Sequence, residues 1–334
     1  MDRLYSGMQP TGAPHIGNYL GAICNWVDLA ERYDAVYGIV DLHAITQQYD
    51  PALMQERIRT MAAVLLGCGL PAPEGCTLYV QSTVPQHVEL AWLFASVTPL
   101  AELYRMTQFK DKAKIQQKNV NAGLLTYPVL QAADILLYKG TVVPVGEDQV
   151  QHIEMARIIA RKFNNRFGEV FPEPKELVAR DARIMGLDGK AKMSKSLGNH
   201  ISLLDSEDEI RDKLKTAFTD PSRKRLKDPG NPDICNIFTL HRHFSTDEQQ
   251  AWAREGCTTA AFGCYQCKKV LADNLIEHLA PIQERTREWL DRPRDLDELL
   301  DAGTRRCRAM AAETLAEAFE RMGIAQRARA TTGE

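Results

Sequence analysis

The chain has 334 residues, 44% of them hydrophobic and 25% charged, and 41 basic against 44 acidic side chains leave a net charge of −3. At about 150 residues per domain this is enough for roughly two domains, and composition so near the globular average excludes collagen, disordered tails, coiled-coil rods and small disulfide scaffolds. No apolar run approaches the ~18 residues needed to cross a bilayer, and no overall basic excess announces a nucleic-acid binder.

In chain order, the first twelve residues lack the apolar stretch of about 7–15 residues that a secretory signal needs. A reducing cytosol is therefore expected, and the eight cysteines read as thiols or metal ligands. Short apolar runs at residues 4–6, 35–40, 77–81 and 141–145 read as strands. Each is followed by helix-like spacing, the pattern of βαβ units and a parallel sheet. Helices are predicted to start near Gly17, Pro51, Pro85, Pro128 and Glu147; the three prolines suit a first turn, where the missing N–H has no partner anyway.

Residues 163–204, with Pro172, Pro174, Gly186, Gly189 and Gly198, read as a long irregular connection, and connections of that length tend to be functional. From Ser206 strand signals vanish. Segments such as 296–322 read as amphipathic helices, interrupted by residues 220–230, a polar, basic and turn-forming stretch expected to be an exposed loop.

Two segments suit phosphate chemistry. The first strand runs into Met8-Gln-Pro-Thr-Gly-Ala-Pro-His-Ile-Gly-Asn18 and then an apolar-periodic helix. Gly12 and Gly17 allow close backbone approach, and the helix N-terminus offers free N–H groups to an anion. His15 can donate to a phosphate oxygen, and Asn18 can reach a ribose hydroxyl or a phosphate. The second segment is Lys192-Met-Ser-Lys-Ser196, whose lysines and hydroxyls, flanked by glycines, suit a lid that neutralises charge on a transferring phosphate.

Together, T-x-x-x-H-I-G-N after the first strand and KMSKS past the middle of an α/β chain resemble the HIGH and KMSKS signatures of class I aminoacyl-tRNA synthetases, with Asn18 replacing the last histidine of HIGH as in the tryptophan and tyrosine subclass. Further stretches resemble the tryptophanyl-tRNA synthetases: Ser6-Gly-Met-Gln-Pro-Thr-Gly12, Val40-Asp-Leu-His-Ala-Ile-Thr46, Arg105-Met-Thr-Gln-Phe-Lys110, Gly123-Leu-Leu-Thr-Tyr-Pro128, Ala132-Ala-Asp-Ile-Leu-Leu-Tyr138, Val143-Pro-Val-Gly-Glu-Asp-Gln149 and Pro281-Ile-Gln-Glu-Arg285. The resemblance covers about residues 3–322. It implies a Rossmann-like catalytic domain over residues 1–204 and a helical anticodon-binding domain over 205–334, whose last helices can fold back on the first. It also implies a homodimer with tRNA across both subunits.

The family activates tryptophan with magnesium-bound ATP and transfers it to the terminal adenosine of its tRNA. Carried onto this chain, the resemblance puts ATP at Gln9, Pro10, Thr11, Gly17 and Asn18, with His15 at the phosphates, Gly146, Glu147, Asp148 and Ile184 at the adenosine, and Lys192, Met193, Ser194, Lys195 and Ser196 at the pyrophosphate. Lys192 and Lys195 would act in the transition state, assisted by Lys110 or Lys112. Asp134 matches the family's acceptor for the indole N–H, and Tyr127, Leu130, Gln131 and Asp134 share a helical face by spacing. Tyr5, His43, Val143, Val145 and Gln149 complete the expected tryptophan pocket. Tyrosyl-tRNA synthetases, HIGH-containing nucleotidyltransferases and a non-catalytic paralogue are the alternatives; the GMQPTG and AADILLY stretches favour tryptophan.

Of the eight cysteines, Cys24, Cys68, Cys76 and Cys307 are scattered, whereas Cys235, Cys257, Cys264 and Cys267 follow the spacing C-x21-C-x6-C-x2-C. Four thiolates suit a structural zinc or a [4Fe–4S] cluster, and a single CxxC pair is unlike a ribbon-type zinc site. The layout resembles a subset of tryptophanyl-tRNA synthetases that carry a [4Fe–4S] cluster near the anticodon-binding region. Arg223, Lys224, Arg225, Lys227 and the arginines at 305, 306, 308, 321, 327 and 329 are candidate tRNA phosphate contacts.

Overall fold

The computed structural model describes residues 2–107, 120–178 and 184–324. Lys110, Lys112, Arg327 and Arg329 lie outside them. Five strands form one parallel sheet in the order β3-β2-β1-β4-β5: β1 Arg3–Met8, β2 Asp34–Ile39, β3 Cys76–Val80, β4 Val142–Val145 and β5 Lys175–Val178. The first four overlap the sequence expectation; β2, β3 and β4 fall within one residue of it, and β1 runs two residues further, to Met8. β5 lies inside the stretch read as irregular; as an edge strand with mostly exposed side chains it carries no apolar signal.

Side chains alternate across the strands and both faces are covered. Leu4, Tyr37, Ile39 and Leu78 join one core cluster, while Tyr5, Val36 and Tyr79 join the other. The first face receives α2 (Cys24–Ala30), α4 (Met54–Gly67) and the long α12 (Cys264–Leu290). The second receives α5 (Gln86–Ala95), α7 (Ala122–Leu136), α8 (Val150–Phe167) and the last helix, α13 (Pro293–Arg321). Shorter helices are α1 (Ile16–Asn18), continued into α2 by a π-helical segment at Tyr19–Ile23, α3 (Asp41–Ala44) and α6 (Leu100–Arg105). Among the described residues, the region after Ser206 is helical: α9 (Glu207–Thr216), α10 (Asn236–Phe244), α11 (Asp247–Thr258), then α12 and α13.

One predicted helix start is displaced. α7 begins at Ala122, where Asn121 accepts the Leu124 N–H at 2.9 Å, and Pro128 lies inside the helix. The helix runs through the proline with most of its face buried, at Leu124, Tyr127, Val129, Ala132, Ala133, Ile135 and Leu136, and the proline removes one backbone N–H from it. The start expected at Glu147 is a 3-10 turn, Glu147–Gln149, leading into α8.

α13 lies on the sheet. Gly303 faces the backbone carbonyl of Leu78 so closely that a Cβ there would sit 1.9 Å from the oxygen. Arg306 bonds Thr77 Oγ1 and Asp34 Oδ1, and Arg308 bonds the Thr83 carbonyl at 2.7 Å. These two arginines, candidates for tRNA phosphates, are engaged within the fold.

The sheet opens where its winding reverses. β1 pairs with β2 along all of Arg3–Met8, yet with β4 only at Leu4 opposite Val142. Pro144 has no N–H to extend the β1–β4 ladder. The carboxyl ends of β1 and β4 therefore part, and in open parallel sheets that switch point is where ligands bind.

Candidate active site

The parted strands form the walls of a cavity of about 290 Å3. All eight residues expected at tryptophan line it: Tyr5 from β1, His43 from α3, Tyr127, Gln131 and Asp134 from α7, Val143 and Val145 from β4, and Gln149. Leu130, on the same predicted face, is absent from the lining, and Ile135 is present instead.

Asp134, only 1% exposed, is the charged centre of this cavity. Its Oδ2 lies 2.7 Å from His43 Nε2, and its Oδ1 accepts from Gln81 Nε2 at 2.7 Å. His87 Nδ1 also stands 2.7 Å from Oδ1, at too bent an angle for a linear hydrogen bond. Burial pushes the Asp134 pKa up, but the two histidines outweigh it and hold the carboxyl well below the usual range. The group is therefore ionised at neutral pH, a buried acceptor with charge to share. His43 is placed through Asp41, whose carboxylate accepts the Ser82 N–H at 2.9 Å and so ties α3 to the end of β3. Gln81 and His87 were not found from sequence. Their one signal is position, a polar residue ending a buried strand and a histidine in the first turn after it.

A second cavity, about 590 Å3, adjoins the first at Met8 and Gln9. Gln9, Pro10, Thr11, His15, Asn18, Ser194, Lys195 and Ser196 line it, so both signature segments meet there. His15 is the helix cap: its Nδ1 accepts the Asn18 N–H, and Asn18 Oδ1 accepts the His15 N–H. Gly17 packs beneath it, where a Cβ would stand 3.0 Å from the imidazole and the ring would have to give way. Burial, with Lys195, His200 and Lys192 nearby, lowers the His15 pKa to about 4. The ring is neutral at pH 7, and because Nδ1 accepts, its proton lies on Nε2 as a donor.

The KMSKS loop is docked on this segment. Lys195 Nζ donates to the Gly12 carbonyl at 2.9 Å, and Ile16 N–H donates to Ile201 O at 3.0 Å. Inside the loop, Asn199 Oδ1 accepts the Ser194 N–H, and Met193 N–H donates to Ile184 O. Met193 and Ile184 are buried core under the loop. Lys192, Glu147 and Asp148 are exposed. None of these five, nor Gly17, lines either cavity, while Gly146 lines the first. Arg57, from α4, lines the second and had no signal in the sequence reading. Burial and its charge together lower Lys195 to about 8.

Cys235, Cys257, Cys264 and Cys267 line one small cavity of about 20 Å3, beside Arg223. Arg223 turns inward from its loop to bond the Phe262 carbonyl, with its guanidinium 3.9 Å from Cys264 Sγ. Burial, then the neighbouring cysteines, pushes the Cys267 thiol up to about 12. Among the described residues, no three His, Cys, Asp or Glu side chains are grouped so as to hold a metal ion, and no helix is long and apolar enough to cross a membrane.

The model of the class I tRNA synthetases for tryptophan and tyrosine (W and Y) matches residues 2–280, and the chain belongs to that family. Within it the chain belongs with the tryptophanyl-tRNA synthetases: it is 49% identical over 329 residues to the tryptophan–tRNA ligase of Deinococcus radiodurans, covering 97% of this chain and 99% of the relative. It is 44% identical to that of Thermotoga maritima, covering 96% and 99%. The structure of tryptophanyl-tRNA synthetase from Campylobacter jejuni complexed with ADP and tryptophan superposes with a TM-score of 0.87 at 35% identity, over 96% of this chain and all of that one.

Proposed function

We propose that the chain activates L-tryptophan with ATP to tryptophanyl-adenylate and pyrophosphate, then transfers the amino acid to the 3′-terminal adenosine of tRNA(Trp). The observation that carries this reading is the pair of adjoining cavities: one holds a buried, ionised carboxylate among rings and aliphatic side chains, the other gathers two lysine- and histidine-bearing segments around a helix start.

The tryptophan carboxylate is itself the nucleophile at the α-phosphorus, so catalysis rests on positioning and charge stabilisation. Tyr5, Val143 and Val145 flank the indole, Asp134 accepts its N–H, and Tyr127, Gln131, His43 and Gln149 border the rest. Gln9, Pro10, Thr11, Gly17 and Asn18 hold ATP, with His15 donating to its phosphates. Gly146, Glu147, Asp148 and Ile184 serve the adenosine side, and Lys192, Met193, Ser194, Lys195 and Ser196 the departing pyrophosphate. Magnesium travels with the ATP and neutralises phosphate charge.

The same reading divides the chain into a catalytic domain over 1–204 and a helical, anticodon-binding domain over 205–334, with α13 returning to the sheet. It makes the protein cytoplasmic and a homodimer; exposed Val88 and Trp92 on α5, with Leu100 and Tyr104 on α6, offer an apolar face for a second copy. Cys235, Cys257, Cys264 and Cys267 would hold a [4Fe–4S] cluster that braces the helices around it. The fit lies in four thiols facing one cavity and a guanidinium to offset charge, not in the present space.

Tryptophan-dependent ATP–pyrophosphate exchange, repeated with tyrosine, tests the reading. Exchange with tryptophan alone is expected; exchange driven by tyrosine, or none with either, overturns it.

A further inference from the structure

The two oxygens of Asp134 are not equivalent. Oδ1 accepts from Gln81 and stands against His87, while Oδ2 has one partner, His43. A carboxylate offers about four lone-pair directions. At Oδ1 one is taken by Gln81 and the approach to the other is covered by His87 Nδ1 at 2.7 Å, so the direction left for a ligand is on Oδ2, on a residue that lines the cavity.

Both Oδ1 partners are themselves fixed. Gln81 is fully buried, and its Oε1 accepts the Leu42 N–H at 3.1 Å, which leaves Nε2 to face Asp134. His87, also fully buried, stacks on Tyr79 with ring planes 9° apart. Its Nε2 lies 2.7 Å from Tyr138 Oη and 2.9 Å from Tyr79 Oη. A carboxylate oxygen can only accept, so Nδ1, 2.7 Å from Oδ1, carries the ring proton. Nε2 is then the acceptor, and its single lone pair takes the proton of one of the two phenols. His87 itself does not line the cavity.

We infer that His87 is a positioning residue for amino-acid selection: held by Tyr79 and Tyr138, it and Gln81 occupy Oδ1 of Asp134, so that the carboxylate presents a single lone pair on Oδ2 to a single ligand N–H. The inference rests on the reading that Asp134 accepts the indole N–H. A site with one vacant acceptor selects for that donor, because an analogue lacking it leaves the buried charge unpaired.

The test compares tryptophan with its analogue carrying sulfur in place of the indole N–H, both measured by ATP–pyrophosphate exchange. His87→Phe is expected to lower kcat/KM for tryptophan about tenfold, through KM, with the sulfur analogue and the KM for ATP changed by less than about twofold. His87→Asn, which keeps a donor near the Nδ1 position, is expected to recover most of the loss. Tyr138→Phe, which removes the nearer of the two hydroxyls at Nε2, gives the same selective loss to a smaller degree and serves where His87→Phe does not fold. Equal losses for both amino acids, or an unchanged kcat/KM for tryptophan in folded variants, overturns the inference. Asp134→Asn separates the two levels: if it too fails to discriminate the amino acids, the assignment of Asp134 falls; if it discriminates while the His87 variants do not, only the role of His87 falls.

Discussion

Lys195 donates to the carbonyl of Gly12 at 2.9 Å, joining the two signature segments across 183 residues of sequence. Gly12 has φ +108°, a conformation that side chains other than glycine's rarely adopt, so the carbonyl is aimed by a residue that cannot readily be replaced. The lysine is thus held over the cavity that Gln9, Thr11 and Asn18 line. Lys195→Ala is expected to slow adenylate formation by roughly 10²–10³, the usual effect of removing one charge-stabilising donor. Tryptophan affinity should be nearly unchanged, because the cavity proposed for the amino acid is the other one. Pyrophosphate exchange and equilibrium tryptophan binding, measured on one preparation, check this; comparable losses in both would remove Lys195 from the transition state.

The same lysine sets a pH dependence. Burial and Arg57 lower its pKa to about 8, so the ammonium is charged at pH 7 and is lost as pH rises through 8. Accordingly kcat/KM for ATP, which reports the free enzyme, is expected to fall on the alkaline side with an apparent pKa near 8. His15, with its pKa near 4, contributes no acid limb between pH 5 and 7. Lys195→Arg is expected to abolish the alkaline fall, since a guanidinium stays charged. A fall that persists in the arginine variant assigns it to another group.

The four-cysteine cavity gives a prediction read by composition. Protein purified without oxygen is expected to be brown and to hold about four irons and four sulfides per chain, the content of one cubane cluster. Cys267→Ser should lose that iron and melt at a lower temperature, because the four thiols proposed as one ligand set come from the start of α10, from α11 and from α12. Colourless, iron-free wild-type protein with its fold and exchange activity intact excludes the cluster.

Strand signals were legible in the sequence wherever both faces of a strand are buried. Tyr37 and Val36 pack into opposite clusters, and such runs are apolar throughout. β5 escaped because Lys175 and Val178 face outward at an edge, so burial leaves no pattern there. The cavity residues were legible through motif resemblance and helical spacing, which place Tyr127, Gln131 and Asp134 together. Gln81, His87 and Arg57 were not, because each reaches its cavity or carboxylate from a different element, and no local spacing records contacts made between elements. The inward turn of Arg223 was hidden for the same reason: a basic loop reads as solvated until Phe262 and Cys264 are brought beside it.

The last helix tests whether the chain's end belongs energetically to the sheet. At Gly303, α13 approaches β3 with no room for a side chain, the nearest obstacle being the Leu78 carbonyl and therefore backbone. One residue on, Thr304 Oγ1 shares a hydrogen bond with Thr83 Oγ1 at 2.8 Å. Gly303→Ala must push the helix away from the strand, an overpacking expected to cost about 1–3 kcal/mol in stability. The displacement also loosens Thr83 and the start of α5, which carries His87. Chemical denaturation should therefore shift to a lower midpoint, and KM for tryptophan should rise while KM for ATP holds. An unchanged midpoint would show that α13 can lift from β3 at no cost, and that its contact with the sheet is incidental to the fold.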